Sequence, residues 1–263
     1  MSLVRILWEK GHWLTGVPGV YRAYLAFTNR LFPDGKVTRI LWGPLSGYLW
    51  QRHRCHQAWM ALGMYEPHVA HLIGEILQPG DIFYDVGANA GYFTLVAADR
   101  VGSQGRVIAF EPEPFNVQVI QKQIALNGLE KTCRVEAVAI SSLAGLASLV
   151  VPARNANAHL AEVGLPLSEA RGERVQVQTI TLDQYAKETA GPALVKMDIE
   201  GAELLALQGA GELLSSAGAP VLLVSTHSPE LAEGVTKLLT GHGYHVNSLT
   251  GFEQMLHAQP RKP

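Results

Sequence analysis

In the stretch DIFYDVGANAGYFTL, residues 81–95, an apolar run ends in Asp85 and is followed by Gly87, Asn89 and Gly91 at two-residue spacing, before a helical pattern begins. A glycine turn between a strand and a helix lets backbone N–H groups come close to a ligand, because glycine has no Cβ in the way. The turn reads G-A-N-A-G and not G-x-G-x-x-G, which disfavours a dinucleotide pyrophosphate. A carboxylate at Asp85 would repel phosphates and suits a cationic ligand such as a sulfonium or an α-amino group. Glu111 ends the next apolar run, RVIAFE, where an acid takes both hydroxyls of a ribose. Standing alone, Gly-x-Asn-x-Gly is often only a tight turn. The acids closing both strands make it a ligand signal.

Two further strand ends carry chemistry. ALVKMD brings Lys196 and Asp198 onto one face by the period-two rule, and VLLVST runs out into His227. Open α/β sheets collect ligands outside the carboxyl ends of their strands, so Asp85, Glu111, Asp198 and His227 should face one crevice. A lysine so near the end of a central strand needs a partner, which Asp198 or Glu200 could supply. The competing reading for Lys196 and Glu203 is an ion pair tying the strand to the next helix. His227 is the first candidate for a general base, since an unperturbed pKa of about 6.5 leaves it neutral at physiological pH. Asp198 is the alternative base, or the group that orients His227. A third arrangement uses Asp198 and Glu200 as oxygen ligands for a divalent cation, although two carboxylates do not define such a site and no metal is expected. His53, Cys55 and His56 mimic metal ligands but lack a fourth partner, which favours a surface or packing role.

The elements that position these residues follow from pattern. From Asp81 onward, short apolar runs alternate with helical stretches: IFYDV, then YFTLVAADR; RVIAFE, then FNVQVIQKQIALN; RVEAVAI; ALVKMD, then AELLALQGA; VLLVST, then PELAEGVTKLLTGHG. That rhythm predicts an α/β fold of βαβ units around a mostly parallel sheet. LASLVV and RVQVQTI read as strands flanking a loop over 152–174, an excursion from the sheet edge. Before residue 80 the chain is irregular and aromatic-rich. It carries helix candidates over 4–13, over 21–31, from Gln57 and from Glu66, and strand-like runs at 37–42 and 48–51. Aromatic residues there, among them Trp8, Trp13, Trp42, Trp50 and Trp59, read as packing and not as a glycan platform.

Bulk properties exclude several classes. The 263 residues, 48% hydrophobic, suffice for a sizeable core, and a net charge of −2 without basic clusters argues against a nucleic-acid partner. Two cysteines, Cys55 and Cys133, form neither a disulfide framework nor a zinc knuckle, which fits a reducing, cytoplasmic setting. Charges at Arg5, Glu9, Lys10 and Arg22 interrupt the N-terminal apolar residues, so no signal peptide or transmembrane segment is expected.

DVGANAGYFT, IAFEPEPFN, IALNG, TLDQY and above all VKMDIEGAELLALQGA resemble the FkbM family of S-adenosylmethionine-dependent methyltransferases, over about residues 62–228 from GMYEP onward. The resemblance implies the Rossmann-like class I methyltransferase fold, a three-layer sandwich whose seven-stranded sheet has one antiparallel strand. It also implies O-methylation of a hydroxyl on a sugar, small molecule or natural product. The cofactor S-adenosyl-L-methionine would be held by Asp85, Gly87, Asn89, Gly91 and Glu111, with Asp198 next to the methyl group. Glu66, in GMYEP, is expected at the same crevice, and catalytic roles fall to His227, Asp198 and Lys196. Family members often place an acid where Ser225, Thr226 and His227 stand. Residues 1–62 then form a mixed helical and strand extension, a cap over the strand ends or an oligomer contact such as a homodimer, and 63–263 the methyltransferase domain. The alternatives are a nucleotide-cofactor oxidoreductase, which the missing G-x-G-x-x-G disfavours, and a catalytically silent interaction module, which the intact acids disfavour. A base methylase is disfavoured by M-D-I-E in place of an Asn/Asp-Pro-Pro-aromatic turn.

Overall fold

The computed structural model of the chain describes residues 30, 33–53, 56, 58–152, 159–160, 172–249 and 255–261. The helices expected over 4–13 and 21–31, Arg30 apart, lie outside those residues, as do Cys55 and most of the 152–174 loop. The described chain opens with a hairpin, β1 (Val37–Arg39) and β2 (Leu49–Gln51), and two helices, α1 (Ala58–Leu62) and α2 (Pro67–Ile76). An alternating run follows: β3 (Ile82–Val86), α3 (Tyr92–Val101), β4 (Arg106–Phe110), α4 (Pro114–Leu126) and β5 (Cys133–Glu136). After the short strands β6 (Ala139–Ile140), β7 (Gly145–Pro152), β8 (His159–Leu160) and β9 (Gly172–Ile180) come α5 (Leu182–Glu188) and β10 (Leu194–Met197). The remainder is α6 (Glu203–Gln208), α7 (Gly211–Ser215), β11 (Val221–Ser225), α8 (Pro229–Gly241), β12 (Tyr244–Ser248) and β13 (Met255–Pro260).

The main sheet has seven strands in the order β12-β13-β11-β10-β3-β4-β5. Only β13 runs against its neighbours. The order reverses direction between β3 and β10, so the crevice outside their carboxyl ends is the topological switch point. Alternate residues of each strand supply two cores. Phe83, Val107, Leu194 and Leu223 pack under α2, α3 and α4, whereas Tyr84, Ile108, Val195 and Leu222 pack under α5 to α8. Burial on both faces is why these strands read as unbroken apolar runs.

Two expectations are refined. The 134–140 run is not one strand: it leaves the main sheet after Glu136, and β6 joins a separate four-stranded sheet, β6-β9-β7-β8. LASLVV and RVQVQTI pair antiparallel within that sheet. Ala139, Ala147, Leu149 and Val177 from it pack on Ala202 and Ile199, beside the end of β10. The hairpin docks on α4 through amide side chains. Gln123 Nε2 donates to the Gln51 carbonyl at 2.7 Å and its Oε1 accepts the Gln51 N–H at 3.0 Å. Asn127 does the same for Leu49, at 2.9 and 2.8 Å. Four residues of helix rise about 6 Å and two residues of strand about 6.6 Å, so an i,i+4 amide pair matches an i,i+2 strand edge. Among the described residues no helix is long and apolar enough to cross a membrane.

Candidate active site

The carboxyl ends of β3, β4 and β10 open into one crevice, walled by Asn89, Tyr92, Glu111, Lys196, Asp198 and Glu200 among others. The turn after β3 forms one side. Gly87 (φ 80°) and Gly91 (φ 82°) adopt left-handed backbone. A Cβ on Gly87 would stand 2.0 Å from the Asp198 carbonyl oxygen, so glycine is needed there for β3 and β10 to close against each other. Ligand space is not the only demand on this glycine, since the contact between two strand ends already requires it. Among the described residues, the non-glycine residues with positive φ, Glu66, Asn89 and Glu200, all stand at or beside the crevice. Such backbone conformations cost about 1 kcal/mol or more each and gather at functional sites.

Glu111, directly after β4, is buried, with Oε2 accepting the Asn89 N–H at 2.8 Å and Oε1 the Glu113 N–H at 3.0 Å. The Asn116 side chain adds a third hydrogen bond to the carboxylate. Burial pushes its pKa up to about 7, against the opposing pull of those two N–H groups. The side-chain oxygen Oδ1 of Asn89 is buried without a partner.

Asp85 lies deeper than the sequence suggests. It is wholly buried, beneath the crevice floor, with Thr94 Oγ1 donating to its Oδ2 at 2.7 Å and its Oδ1 unpartnered. Burial raises its pKa, although Lys196, its register neighbour on β10, pulls the other way. Lys196 Nζ sits 3.4 Å from Asp198 Oδ2 and 5.1 Å above the centre of the Phe93 ring. Burial works against the ammonium charge, but Asp198, Asp85 and Glu66 together hold its pKa above the ordinary lysine value. The half-buried Glu66 carboxylate takes the Tyr65 hydroxyl hydrogen bond, and of the two Tyr65 lines the crevice.

His227 reaches Asp198 as expected, with Nε2 at 3.2 Å from Asp198 Oδ1 and 3.4 Å from Glu203 Oε1. Hydrogen bonds to Asp198 and then Glu203 lift the imidazole pKa to about 10. The expected neutrality is thereby corrected in direction: the two carboxylates favour the protonated imidazole in the ligand-free protein. Burial would raise Asp198, yet Lys196 and His227 bring it down to about 2. The turn carrying His227 is fixed by Ser228, whose Oγ caps α8 by accepting the Leu231 N–H at 3.1 Å.

The structure brings Asp85, Gly87, Asn89, Gly91, Glu111, Lys196, Asp198 and His227 to one end of the sheet, as their strand-end positions require. It adds residues with no such signal. His56, which sequence alone leaves to packing, lines the crevice, with its Nε2 3.0 Å from Asn116 Oδ1; burial lowers its pKa to about 4. Met60 and Tyr92 also line it. Glu203, wholly buried, accepts the Ile199 N–H at 2.8 Å and closes the turn that carries Glu200.

A glycine turn over a β3–β10 switch point, an acid ending β4 and the single antiparallel strand of the seven, β13, inserted between β11 and β12, define the class I methyltransferase fold. Residues 85–246 match the Methyltransferase FkbM domain, and the chain belongs to that family of S-adenosylmethionine-dependent methyltransferases. It is 27% identical over 177 residues to the hexuronic acid methyltransferase AglP of Haloferax volcanii, covering 66% of this chain and 68% of that one. The crystal structure of Methyltransferase FkbM from Methylobacillus flagellatus aligns with a TM-score of 0.49 and 18% identity over 77% of this chain. This chain spans 53% of that relative's length. A SAM-dependent O-methyltransferase from Thermotoga maritima aligns with a TM-score of 0.49 and 13% identity, covering 88% of this chain and 80% of that one.

Proposed function

We propose that the protein is an O-methyltransferase that moves a methyl group from S-adenosylmethionine to a hydroxyl of a carbohydrate or related small-molecule acceptor. The observation that carries this reading is the placement on the wall of one crevice of the buried Glu111 carboxylate and of Asp198, which pairs with His227. The residues fit the cofactor. Glu111 would take the ribose hydroxyls and the buried, unpartnered oxygen of Asn89 would accept a further hydrogen bond. Asp85 would supply negative potential toward the sulfonium and α-amino groups. Gly87 and Gly91 hold the turn that brings Asn89 to Glu111. The hexuronic acid named for the Haloferax volcanii relative favours a carbohydrate acceptor here.

When bound, the cofactor supplies a methyl group already made electrophilic by its sulfonium. The protein's task is to hold an acceptor oxygen in line at about 3 Å and let its proton leave. Asp198 is the ionised group at that position, and it accepts the hydroxyl's hydrogen bond. An oxygen forming a third bond becomes more acidic than any carboxylic acid, so a weakly basic carboxylate suffices to take the proton. His227 and Lys196 keep Asp198 ionised and oriented. His56 and Met60, from the last residues of the 1–62 extension, line the crevice wall, which supports a role for that part of it in acceptor capture. A cytoplasmic location fits the free thiol of Cys133 and the absence of a membrane-crossing helix among the described residues.

The test is titration with S-adenosylhomocysteine against NAD, followed by a labelled-methyl transfer screen over sugars, nucleotide sugars and glycolipids. Binding of NAD in preference to S-adenosylhomocysteine, or label transferred only to a non-hydroxyl acceptor, would refute the proposal.

A further inference from the structure

Asp198, Glu200 and His227 each offer one ligand atom to a common point, all within 4.8 Å of one another. Asp198 Oδ1 and His227 Nε2, 3.2 Å apart, have the separation of adjacent ligands on a cation with bonds of about 2.1 Å. Glu200 is held at φ 57°, a left-handed conformation unusual for a glutamate, in the turn closed by Glu203. A second, independent feature favours a cation at this point. Glu203 is wholly buried, its Oε1 already serves the Ile199 N–H and faces His227 Nε2 at 3.4 Å, and its Oε2 has no partner. Three carboxylates therefore crowd one imidazole nitrogen. Lys196, the other cation here, is drawn toward Asp198 Oδ2, Asp85 and Glu66 on the far side. Uncompensated buried carboxylate charge is costly, and a divalent ion removes more of it than one proton can.

We infer that Asp198, Glu200 and His227 form a site for a divalent first-row cation of the Mn²⁺ class, with the wholly buried Glu203 carboxylate beside it adding negative potential. A mixed set of two carboxylate oxygens and one imidazole nitrogen suits Mn²⁺ better than the all-oxygen shell of Ca²⁺. Three protein ligands at a crevice rim leave coordination positions open, as in catalytic metal sites and not structural ones. His227 is 38% exposed and Asp198 23%, so those positions face the mouth where an acceptor enters. The inference rests on the methyltransferase reading only in assigning the open positions to hydroxyl oxygens of the acceptor. There a cation would bind two neighbouring hydroxyls of a sugar and aim one of them.

The experiment is titration of Mn²⁺ into metal-stripped full-length protein, read by loss of the free Mn²⁺ electron paramagnetic resonance signal and by calorimetry, without cofactor or acceptor. One saturable site is expected, and both Glu200→Gln and His227→Gln should weaken it by about tenfold or more. Thermal melts of the variants without metal establish that they fold. S-adenosylhomocysteine titrated into the same samples separates the two readings, since Mn²⁺ can bind where the cofactor analogue does not, and the reverse. Absence of a saturable site up to about 5 mM Mn²⁺, or an affinity that either folded variant leaves within about threefold of wild type, overturns the inference.

Discussion

Lowering the pH from 8 to 6 should weaken S-adenosylhomocysteine binding about tenfold, through Glu111 alone. The carboxyl of the ligand-free protein has its pKa pushed up to about 7 by burial. The ionised fraction therefore falls from about nine tenths at pH 8 to about one tenth at pH 6. Only the carboxylate can accept both ribose hydroxyls while its two oxygens also hold the Asn89 and Glu113 N–H groups. Binding must then expel the proton, and affinity falls tenfold per pH unit well below 7. The sign for stability runs the other way. An acid whose folded pKa lies above its unfolded value of about 4.5 favours the folded state below that value and loses this contribution as pH rises through about 7. The ligand-free protein should lose about 3 kcal/mol from this group between those limits, and the cofactor analogue should restore part of it at pH 8. Calorimetric titration at pH 6, 7 and 8 is the assay, with Glu111→Gln as control. The variant should bind about 10- to 100-fold more weakly at pH 8, the scale of a charge-assisted pair of hydrogen bonds, with its pH slope abolished. Equal affinity at pH 6 and 8 in the wild type, or an unchanged slope in the variant, refutes the reasoning.

Gly87→Ala should cost about 3–5 kcal/mol and lower the melting temperature by about 10 °C, since a left-handed alanine would press its Cβ onto the Asp198 carbonyl oxygen. A wild-type melting curve would show that β3 and β10 do not need that contact. Gln123→Ala removes both hydrogen bonds to Gln51 and strips the hairpin of half its amide clamp. A loss of about 2–3 kcal/mol in denaturant unfolding is expected, and a change under about 0.5 kcal/mol would mean that packing of Trp50 alone docks it. Asp198→Asn should lower kcat for labelled-methyl transfer by about 10²- to 10⁴-fold, while S-adenosylhomocysteine affinity changes far less. Full activity in that variant would remove Asp198 from proton transfer.

Local pattern was enough for the frame. The alternation of strand-length and helix-length apolar runs after Asp81, the glycine turn at 87–91 and the strand-end positions of Glu111, Asp198 and His227 are written within short windows, because strand and helix periods and turn chemistry are properties of neighbouring residues. Strand-end position also sets those residues along one edge of the sheet, since parallel strands in an open sheet share one carboxyl edge. Pairing across the fold was not legible. Nothing near Asp85 says that Lys196, 111 positions later, becomes its register neighbour on β10 and draws it under the floor. The charge on His227 depends on Asp198 and Glu203 arriving from another strand end and helix, and a lone histidine after VLLVST carries no trace of them. His56 enters the crevice wall because Gln123 and Asn127 clamp the preceding hairpin to α4, an arrangement made by side-chain amides and not by any periodicity. Sequence sets which groups reach the rim; burial and the meeting of distant carboxylates, which exist only once the layers pack, set which of those groups hold a proton.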